Sequence, residues 1–114
     1  MTAAVLICDD SNLARKQLAR ILPQDWQDSV HFAGHGADAL ATLEKEQIDW
    51  LFLDLNMPIM DGYQVLAELK KRQLQVNVVV VSGDVQPEAY QRVMELGAID
   101  FIRKPVDATK LQVI

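Results

Sequence analysis

The sequence predicts an α/β protein with a doubly wound, five-stranded parallel sheet. Short apolar runs alternate with segments of helical periodicity five times along the chain, which is typical of a parallel sheet with crossover helices. The run at residues 78–81 is apolar without alternation, as expected for a strand covered on both faces. The connections are short, and right-handed crossovers restrict the topology to a few arrangements, of which five strands favour the order 2-1-3-4-5.

Strands and helices are predicted in strict alternation. The strands are placed at residues 4–8, 30–33, 49–54, 78–81 and 99–102. The helices are placed at residues 12–22, from about 37 to 46, from 63, from about 87 to 96, and from 107 or 108 onward. Ser11 suits the N-cap of the first helix, which Pro23 ends. Pro87 suits the first turn of the fourth helix, and Gly97 suits its end.

Each of the first four helices carries an apolar face at helical spacing. The residues assigned to these faces are Ala14, Leu18, Ile21 and Leu22, then Ala37, Leu40 and Leu43, then Val65, Leu66 and Leu69, and then Tyr90, Val93 and Met94. The fifth helix is expected to be cut off after about two turns at Ile114, which is short for a helix. This favours a parent protein that continues past Ile114, or a trimmed one.

Composition indicates a soluble domain spanning residues 1–114, near the commonest domain size. The net charge of −5 disfavours direct contact with nucleic acid or an anionic membrane. Cys8 is the only cysteine, so we expect a buried, small apolar side chain and no internal disulfide. Because the chain shows neither a signal peptide nor an apolar run of about 20 residues, we expect a cytoplasmic protein.

Polar residues stand where four of the predicted strands end. Asp9 and Asp10 follow the first strand, Asp54 ends the third, Ser82 follows the fourth, and Lys104 follows the fifth. In a parallel sheet these ends share one edge, and open α/β sheets bind ligands there. The sequence therefore predicts a site that combines three carboxylates, a hydroxyl and an ammonium group.

This combination suits Mg²⁺ and a phosphoryl group. Adjacent carboxylates at Asp9 and Asp10 repel each other unless a cation lies between them, and Mg²⁺ prefers oxygen ligands. Asp54 is the candidate nucleophile, which would hold the phosphoryl group as an acyl phosphate. Lys104 would supply further positive charge. Taken singly, the aspartates could be helix or turn caps, Ser82 a turn residue and Lys104 a solvated charge. His31 and His35 are interpreted as ordinary surface or edge residues.

Together these residues closely resemble the receiver domain of bacterial two-component response regulators. The resemblance covers nearly the whole chain, and it implies a flavodoxin-like fold of the kind found in the chemotaxis regulator CheY, whose strand order is the one given above. The motifs that carry the resemblance are Asp9-Asp10-Ser11, Asp54-Leu55-Asn56-Met57-Pro58 with Asp61-Gly62, Val81-Ser82-Gly83, and Phe101-Ile102-Arg103-Lys104-Pro105.

The resemblance implies a role for each of these positions. Asp54 would be the phosphoacceptor. Magnesium would be held directly by Asp10, through water by Asp9, and by Asp54 and the backbone carbonyl of Asn56. The phosphoryl-binding residues would be Ser82, Gly83 and Lys104. The switch residues would be Ser82, whose hydroxyl shifts toward the phosphoryl group, and Phe101, the aromatic that then turns inward; simple core packing is the alternative for Phe101.

The implied function is a phosphorylation-dependent switch in two-component signalling or a phosphorelay. The phosphoryl group would come from a histidine kinase or a phosphotransfer protein. It adds about 1.5 to 2 negative charges at one point, which biases a two-state surface that partners bind. The chain would catalyse only its own phosphorylation and dephosphorylation and would not be an enzyme otherwise. Phosphorylation-dependent homodimers are common in the family. Nothing in the sequence tests whether this chain forms one.

The chain departs from the commonest family pattern at several positions. Gly83 replaces the usual alanine, which suggests wider access to the phosphoryl group. Phe101 replaces the commoner tyrosine and so lacks its hydroxyl. Asn56 and Asp84 stand at variable positions, and we hypothesise that they tune hydrolysis of the phosphoryl group because either side chain could meet the attacking water.

The residues argue against three other functions. A pseudo-receiver would bind partners without phosphorylation, but no site residue is missing here. An aspartate-nucleophile phosphohydrolase of the haloacid dehalogenase kind would carry its nucleophile on the first strand, with a second aspartate two residues later. Here the corresponding pattern is Asp54-Leu55-Asn56, on the third strand and ending in an amide. Flavin binding would require a hydroxyl-rich phosphate loop after the first strand, which the sequence lacks.

Overall fold

A computed structural model describes residues 3–84 and 86–111 of the chain. Within these ranges the strands are β1 (Val5–Cys8), β2 (Val30–Ala33), β3 (Trp50–Leu53), β4 (Asn77–Ser82) and β5 (Asp100–Arg103). The helices are α1 (Asn12–Ile21), α2 (Gly36–Lys45), α3 (Gly62–Lys71), α4 (Pro87–Glu95) and α5 (Ala108–Leu111). The predicted end of the last helix lies outside the described residues.

All five strands form one parallel sheet with the order β2-β1-β3-β4-β5, which confirms the predicted topology. The register aligns Cys8 of β1 with Ala33 of β2 and with Leu53 of β3. It also aligns Ser82 of β4 with Arg103 of β5. The strands therefore end close together along one edge of the sheet, where the polar residues of the sequence motifs follow them.

The core lies in two layers, one on each face of the sheet, because successive residues of a strand point to opposite faces. Leu6 and Cys8 of β1 belong to the layer that α2, α3 and α4 cover. Val5 and Ile7 belong to the layer that α1 and α5 cover. This arrangement confirms the prediction that residues 78–81 are apolar because helices cover both faces, and it confirms that Cys8 is buried.

Several local predictions were wrong. A short 3-10 helix at Gln24–Ser29, where no element was predicted, joins α1 to β2. Ala37 is exposed and Ala39 is buried instead, because the buried stripe of α2 runs through Gly36, Ala39, Leu40 and Leu43 and leaves Ala37 to one side. Tyr90 is 52% exposed, while Ala89 and Val93 form the buried face of α4. His35 has a specific role, since its Nδ1 accepts a hydrogen bond from the Asp38 N–H and caps α2.

The start of α3 is fixed by a reciprocal cap and by a close backbone approach. Asp61 accepts a hydrogen bond from the Gln64 N–H, and the Gln64 side chain accepts one from the Asp61 N–H, which forms a capping box. Gly62 donates its N–H to the carbonyl of Leu55 at 3.0 Å. This contact holds the loop after β3 against the helix. In the described part of the chain, no helix is both long and apolar enough to cross a membrane.

Candidate functional site

Asp9 and Asp10 lie where β1 gives way to α1. The Asp9 carboxyl group is 6% exposed; its Oδ1 accepts a hydrogen bond from the Ser11 N–H at 2.9 Å. The Ser11 hydroxyl in turn accepts from the Ala14 N–H, as the predicted N-cap should. Asp10 is exposed. The pair therefore presents one carboxylate fixed inside the site and one facing solvent.

Asp54 follows β3 and lies beside the Asp9–Asp10 turn. Its N–H donates to the carbonyl of Cys8 at 2.9 Å, which continues the β1–β3 ladder by one residue. The side chain is buried, and its Oδ1 accepts a long 3.5 Å hydrogen bond from the Asn56 N–H. The strand pairing itself therefore delivers this carboxylate to the site.

The three carboxylates converge. One oxygen each from Asp9, Asp10 and Asp54 lies within 4.8 Å of the other two. A set of oxygen donors with one open, solvent-facing side fits Mg²⁺, which is held by few carboxylates and retains several waters. These residues therefore fit the predicted metal. The Asn56 backbone is close to Asp54, while the place of its carbonyl among the ligands stays a prediction.

Lys104 reaches the same cluster from the end of β5. Its backbone N–H donates to the Ser82 carbonyl at 2.9 Å, which extends the β4–β5 ladder. Its Nζ lies 2.8 Å from Asp9 Oδ2 and 3.6 Å from Asp54 Oδ1. The ammonium group is thus placed against the candidate nucleophile, and it partly offsets the charge of the carboxylates.

The negative charges of the carboxylates at the site outnumber the positive charge of Lys104. Burial and the neighbouring Asp9 carboxylate raise the pKa of Asp54 above its ordinary value, although Lys104 and the Asn56 N–H act in the opposite direction. Burial alone would lower the pKa of Lys104, but its hydrogen bond to Asp9 and the charge of Asp54 outweigh burial and raise it. Without a metal, the site therefore carries more negative charge than it can offset, and a cation should bind there.

Ser82 ends β4, the strand next to β3. Its side chain is fully buried, and its hydroxyl oxygen accepts a hydrogen bond from the Asp84 N–H at 3.1 Å. A hydroxyl can accept and donate at once, so its proton can still be donated to a ligand. Gly83 is exposed, and an added Cβ would meet nothing within 4 Å. This geometry is consistent with the prediction that Gly83 leaves open space beside the phosphoryl site.

The remaining candidate residues lie around the cluster. Asn56 is exposed, next to Asp54. The Asp84 carboxylate accepts a hydrogen bond from the Gln86 N–H and so is engaged within its own loop. Phe101 is half-buried, with its ring centroid 6.0 Å from that of Tyr90.

Sequence reasoning missed two residues that shape the site. Arg15 donates a 2.6 Å hydrogen bond to the backbone carbonyl of Asp9, a contact that leaves no mark in a motif because the acceptor is backbone. At Gly62, an added Cβ would lie 2.5 Å from the Asp54 carbonyl oxygen. The Asp61-Gly62 motif does not by itself reveal this packing.

The buried Cys8 thiol is unreactive although it adjoins the carboxylate cluster. Burial, then the charges of Asp9 and Asp54, raise the pKa of its thiol to about 12. Its Sγ lies 3.3 Å from the sulfur of Met57. Since the thiolate is the reactive form, Cys8 acts as core packing, as the sequence predicted.

Comparison with known proteins places this geometry in a family. Residues 5–114 match the model for the response regulator receiver domain. Among solved structures, the chemotaxis protein CheY4 of Vibrio cholerae is 28% identical and has a TM-score of 0.87. The match covers 99% of this chain and 95% of that one. A CheX–CheY–BeF3–Mg complex from Borrelia burgdorferi is also 28% identical with a TM-score of 0.87, over 97% of this chain and 84% of that one.

The curated relatives are longer proteins. A protein-glutamate methylesterase/protein-glutamine glutaminase of Koribacter versatilis is 37% identical over 94% of this chain and 30% of its own length. A hybrid signal transduction histidine kinase of Dictyostelium discoideum is 35% identical over 94% of this chain but only 7% of its own length. The chain thus spans about a third or less of the relatives it matches. The motifs, the sheet order and these matches together show that the chain belongs to the receiver domain family of two-component response regulators.

Proposed function

We propose that this receiver domain is a phosphorylation-dependent signalling switch that accepts a phosphoryl group on Asp54 from a phosphohistidine donor. One observation carries the proposal: the buried Asp54 carboxylate lies 3.6 Å from the Lys104 ammonium, within a cluster of three carboxylates whose oxygens approach within 4.8 Å. A nucleophile, a cation and a metal-binding group are thereby combined in one solvent-accessible pocket.

In the proposed reaction, an Asp54 oxygen attacks the phosphorus atom of the phosphohistidine. A new O–P bond forms as the P–N bond breaks, and the leaving imidazole nitrogen takes up a proton. Water later attacks the acyl phosphate, which releases inorganic phosphate and restores the carboxylate. Lys104 stabilises the negative charge of the phosphoryl oxygens throughout.

Asp9, Asp10, Asp54 and the Asn56 carbonyl are the proposed ligands of Mg²⁺, with Asp10 binding directly and Asp9 through water. When bound, Mg²⁺ offsets the repulsion between the carboxylates and the incoming phosphoryl group. The exposure of Asp10 supports this assignment, because it leaves one side of the carboxylate cluster open to solvent. The Borrelia relative was solved together with Mg.

The switch would work through Ser82 and Phe101. In the proposed switch, the Ser82 hydroxyl would shift toward the phosphoryl group on Asp54, and its contact with the Asp84 N–H would weaken. That movement would vacate the space into which Phe101 turns. The half-buried position of Phe101 against the exposed Tyr90 supports this role, since inward rotation would change the surface next to Tyr90.

Partners follow from the family. A histidine kinase or phosphotransfer protein would donate the phosphoryl group, and an effector domain or separate protein would bind the switched surface. A Borrelia CheY relative forms a complex with CheX, and other relatives combine the matching region with methylesterase or kinase sequences. We propose that residues 1–114 act as one cytoplasmic receiver domain, with homodimer formation on phosphorylation as an output.

The test is incubation of the domain with acetyl phosphate, with and without Mg²⁺, followed by intact mass measurement. A gain of one phosphoryl group that needs Mg²⁺ and is absent in Asp54→Asn is the expected result. No gain under either condition would contradict the proposal and would indicate a pseudo-receiver.

A further inference from the structure

A cavity of about 360 Å³ opens beside the carboxylate cluster, between α1 and the segment that follows β5. Its walls are mainly apolar and include Leu18, Phe52, Val81 and Val106. These residues belong to the core layer under α1 and α5. Volumes of 300 to 1,000 Å³ with mostly apolar walls and a few polar groups are typical of small-molecule sites.

Phosphoryl transfer does not use these apolar walls. The phosphoryl group and Mg²⁺ are both strongly polar, and of the residues proposed to bind them only Asp9, Asp54 and Lys104 line the cavity. Burying apolar surface against the remaining walls would contribute about 25 cal/mol per Å². The apolar part of the cavity is therefore suited to a ligand of its own.

The charge at the polar end indicates what that ligand carries. Three carboxylates, including the nearby Asp10, converge within 4.8 Å. They are opposed by the Lys104 ammonium and by the Arg15 guanidinium, which is bound to the Asp9 carbonyl. Three negative charges against two positive ones leave an excess of negative charge, which favours a cationic head group over an anionic one.

We infer that this cavity binds a small organic cation with an aromatic or other apolar body, its charged group directed at Asp9 and Asp54 and its body against Leu18, Phe52 and Val106. The same carboxylates are the proposed ligands of Mg²⁺. Ligand and Mg²⁺ therefore compete, and by linkage each lowers the affinity of the other. The predicted inhibition of phosphorylation rests on the proposed function, whereas binding of the cation does not.

The test uses three probes that share one ring system: tryptamine as the cation, indole-3-acetate as the anion, and indole as the neutral form. Calorimetry with EDTA present should give the tightest binding for tryptamine, by at least about fivefold over indole-3-acetate, the equivalent of roughly 1 kcal/mol from one charge contact. Saturating Mg²⁺ in place of EDTA should weaken tryptamine binding and leave indole unaffected. Equal binding of the three probes, or no saturable binding, would overturn the inference.

Two variants locate the site without touching the phosphorylation residues. Ala14 and Gln17 of α1 both line the cavity. Ala14→Leu should obstruct part of it and strongly weaken binding of tryptamine and indole, whereas Ala67→Leu on the exposed face of α3 should not. Gln17→Lys should weaken tryptamine and strengthen indole-3-acetate, whereas Gln91→Lys on α4 should do neither. Unchanged binding in both cavity variants would overturn the location.

The two proposals fail separately. If tryptamine binds as described but acetyl phosphate labelling is absent, the cavity is real and the proposed switch is wrong. If labelling proceeds normally and is insensitive to saturating tryptamine, the inferred competition is wrong. In the expected outcome, tryptamine slows Mg²⁺-dependent labelling of the parent domain, and Ala14→Leu strongly weakens this inhibition.

Discussion

Gly62 packs directly against the backbone of Asp54: a Cβ built on Gly62 would lie 2.5 Å from the Asp54 carbonyl oxygen. The same Cβ would lie 2.9 Å from the Cα of Leu55. The first residue of α3 is therefore in contact with the strand end that carries the candidate phosphoacceptor. Both of these contacts are with main-chain atoms. A rotation of a neighbouring side chain therefore cannot make room for a larger residue at position 62.

Gly62→Ala is expected to destabilise the domain by about 1 to 3 kcal/mol, the usual cost of overpacking, and to slow labelling by displacing Asp54. Gly83→Ala is the matched control, because a Cβ there meets nothing within 4 Å. It should be neutral or stabilise by about 0.4 to 1 kcal/mol through the unfolded state. Urea unfolding measures both. Equal stability of the two variants would contradict the packing argument.

Lys104→Met is expected to strengthen Mg²⁺ binding while it impairs phosphorylation. Lys104 Nζ lies 2.8 Å from Asp9 Oδ2 and competes with the metal for the same charge. Removing a unit charge a few ångströms from a cation changes the binding free energy of that cation by at least about 1 kcal/mol, or fivefold in affinity. Calorimetric Mg²⁺ titration checks this, with the exposed Lys70→Met on α3 as the control. Weaker Mg²⁺ binding in Lys104→Met would contradict the proposed opposition of the two cations.

Asp54→Asn is expected to stabilise the metal-free domain at pH 7. Burial and the Asp9 charge raise the pKa of Asp54 above its ordinary value of 3.8, so ionising this group in the folded state costs free energy. The Asp54 contribution to stability is fully present below pH 3.8 and is lost as the pH rises through the raised pKa. The amide cannot ionise, so its advantage should shrink as the pH falls toward 3.8.

Urea unfolding at several pH values in EDTA measures this difference. Saturating Mg²⁺ supplies the control, because binding to the folded parent stabilises it and the Asp54→Asn variant lacks one carboxylate ligand. The advantage of the amide should therefore disappear or reverse with Mg²⁺. An amide variant that is less stable than the parent at pH 7 in EDTA would indicate that Lys104 already balances Asp54.

Asn56→Ala is expected to lengthen the lifetime of the phosphorylated form more than Asp84→Ala does. Asn56 is exposed beside Asp54, where its amide can hold the attacking water, whereas the Asp84 carboxylate is bound to the Gln86 N–H. A threefold slower hydrolysis corresponds to a barrier higher by roughly 0.7 kcal/mol. The decay of the phosphorylated mass after removal of acetyl phosphate measures this. Rates equal to the parent in both variants would reject the tuning hypothesis.

The fold and the cluster were predictable because they depend on local, repeated signals. Apolar runs followed at once by Asp9, Asp54 or Ser82 mark strand ends, and parallel strands bring those ends to one edge. The helical spacing of apolar residues alone was enough to predict the buried positions of Leu18, Val65 and Leu66.

Other features depend on tertiary contacts that spacing does not encode. Tyr90 fits the apolar period of α4, yet its ring lies at the surface beside Phe101. The 3-10 helix at Gln24–Ser29 has no apolar period to reveal it. Two further contacts are made with backbone atoms: Arg15 donates to the Asp9 carbonyl, and Gly62 packs on the Asp54 carbonyl. A pattern of residue types does not identify contacts with backbone atoms.

The most direct test of the account is to locate the phosphoryl group by chemistry. The domain is labelled with acetyl phosphate and Mg²⁺, reduced with borohydride, which converts an acyl phosphate of aspartate to homoserine, and digested for peptide mass spectrometry. The assignment of Asp54 as the phosphoacceptor predicts homoserine at position 54 alone and none without Mg²⁺. Homoserine at position 9 or 10, or its absence from position 54 in a labelled domain, would contradict it.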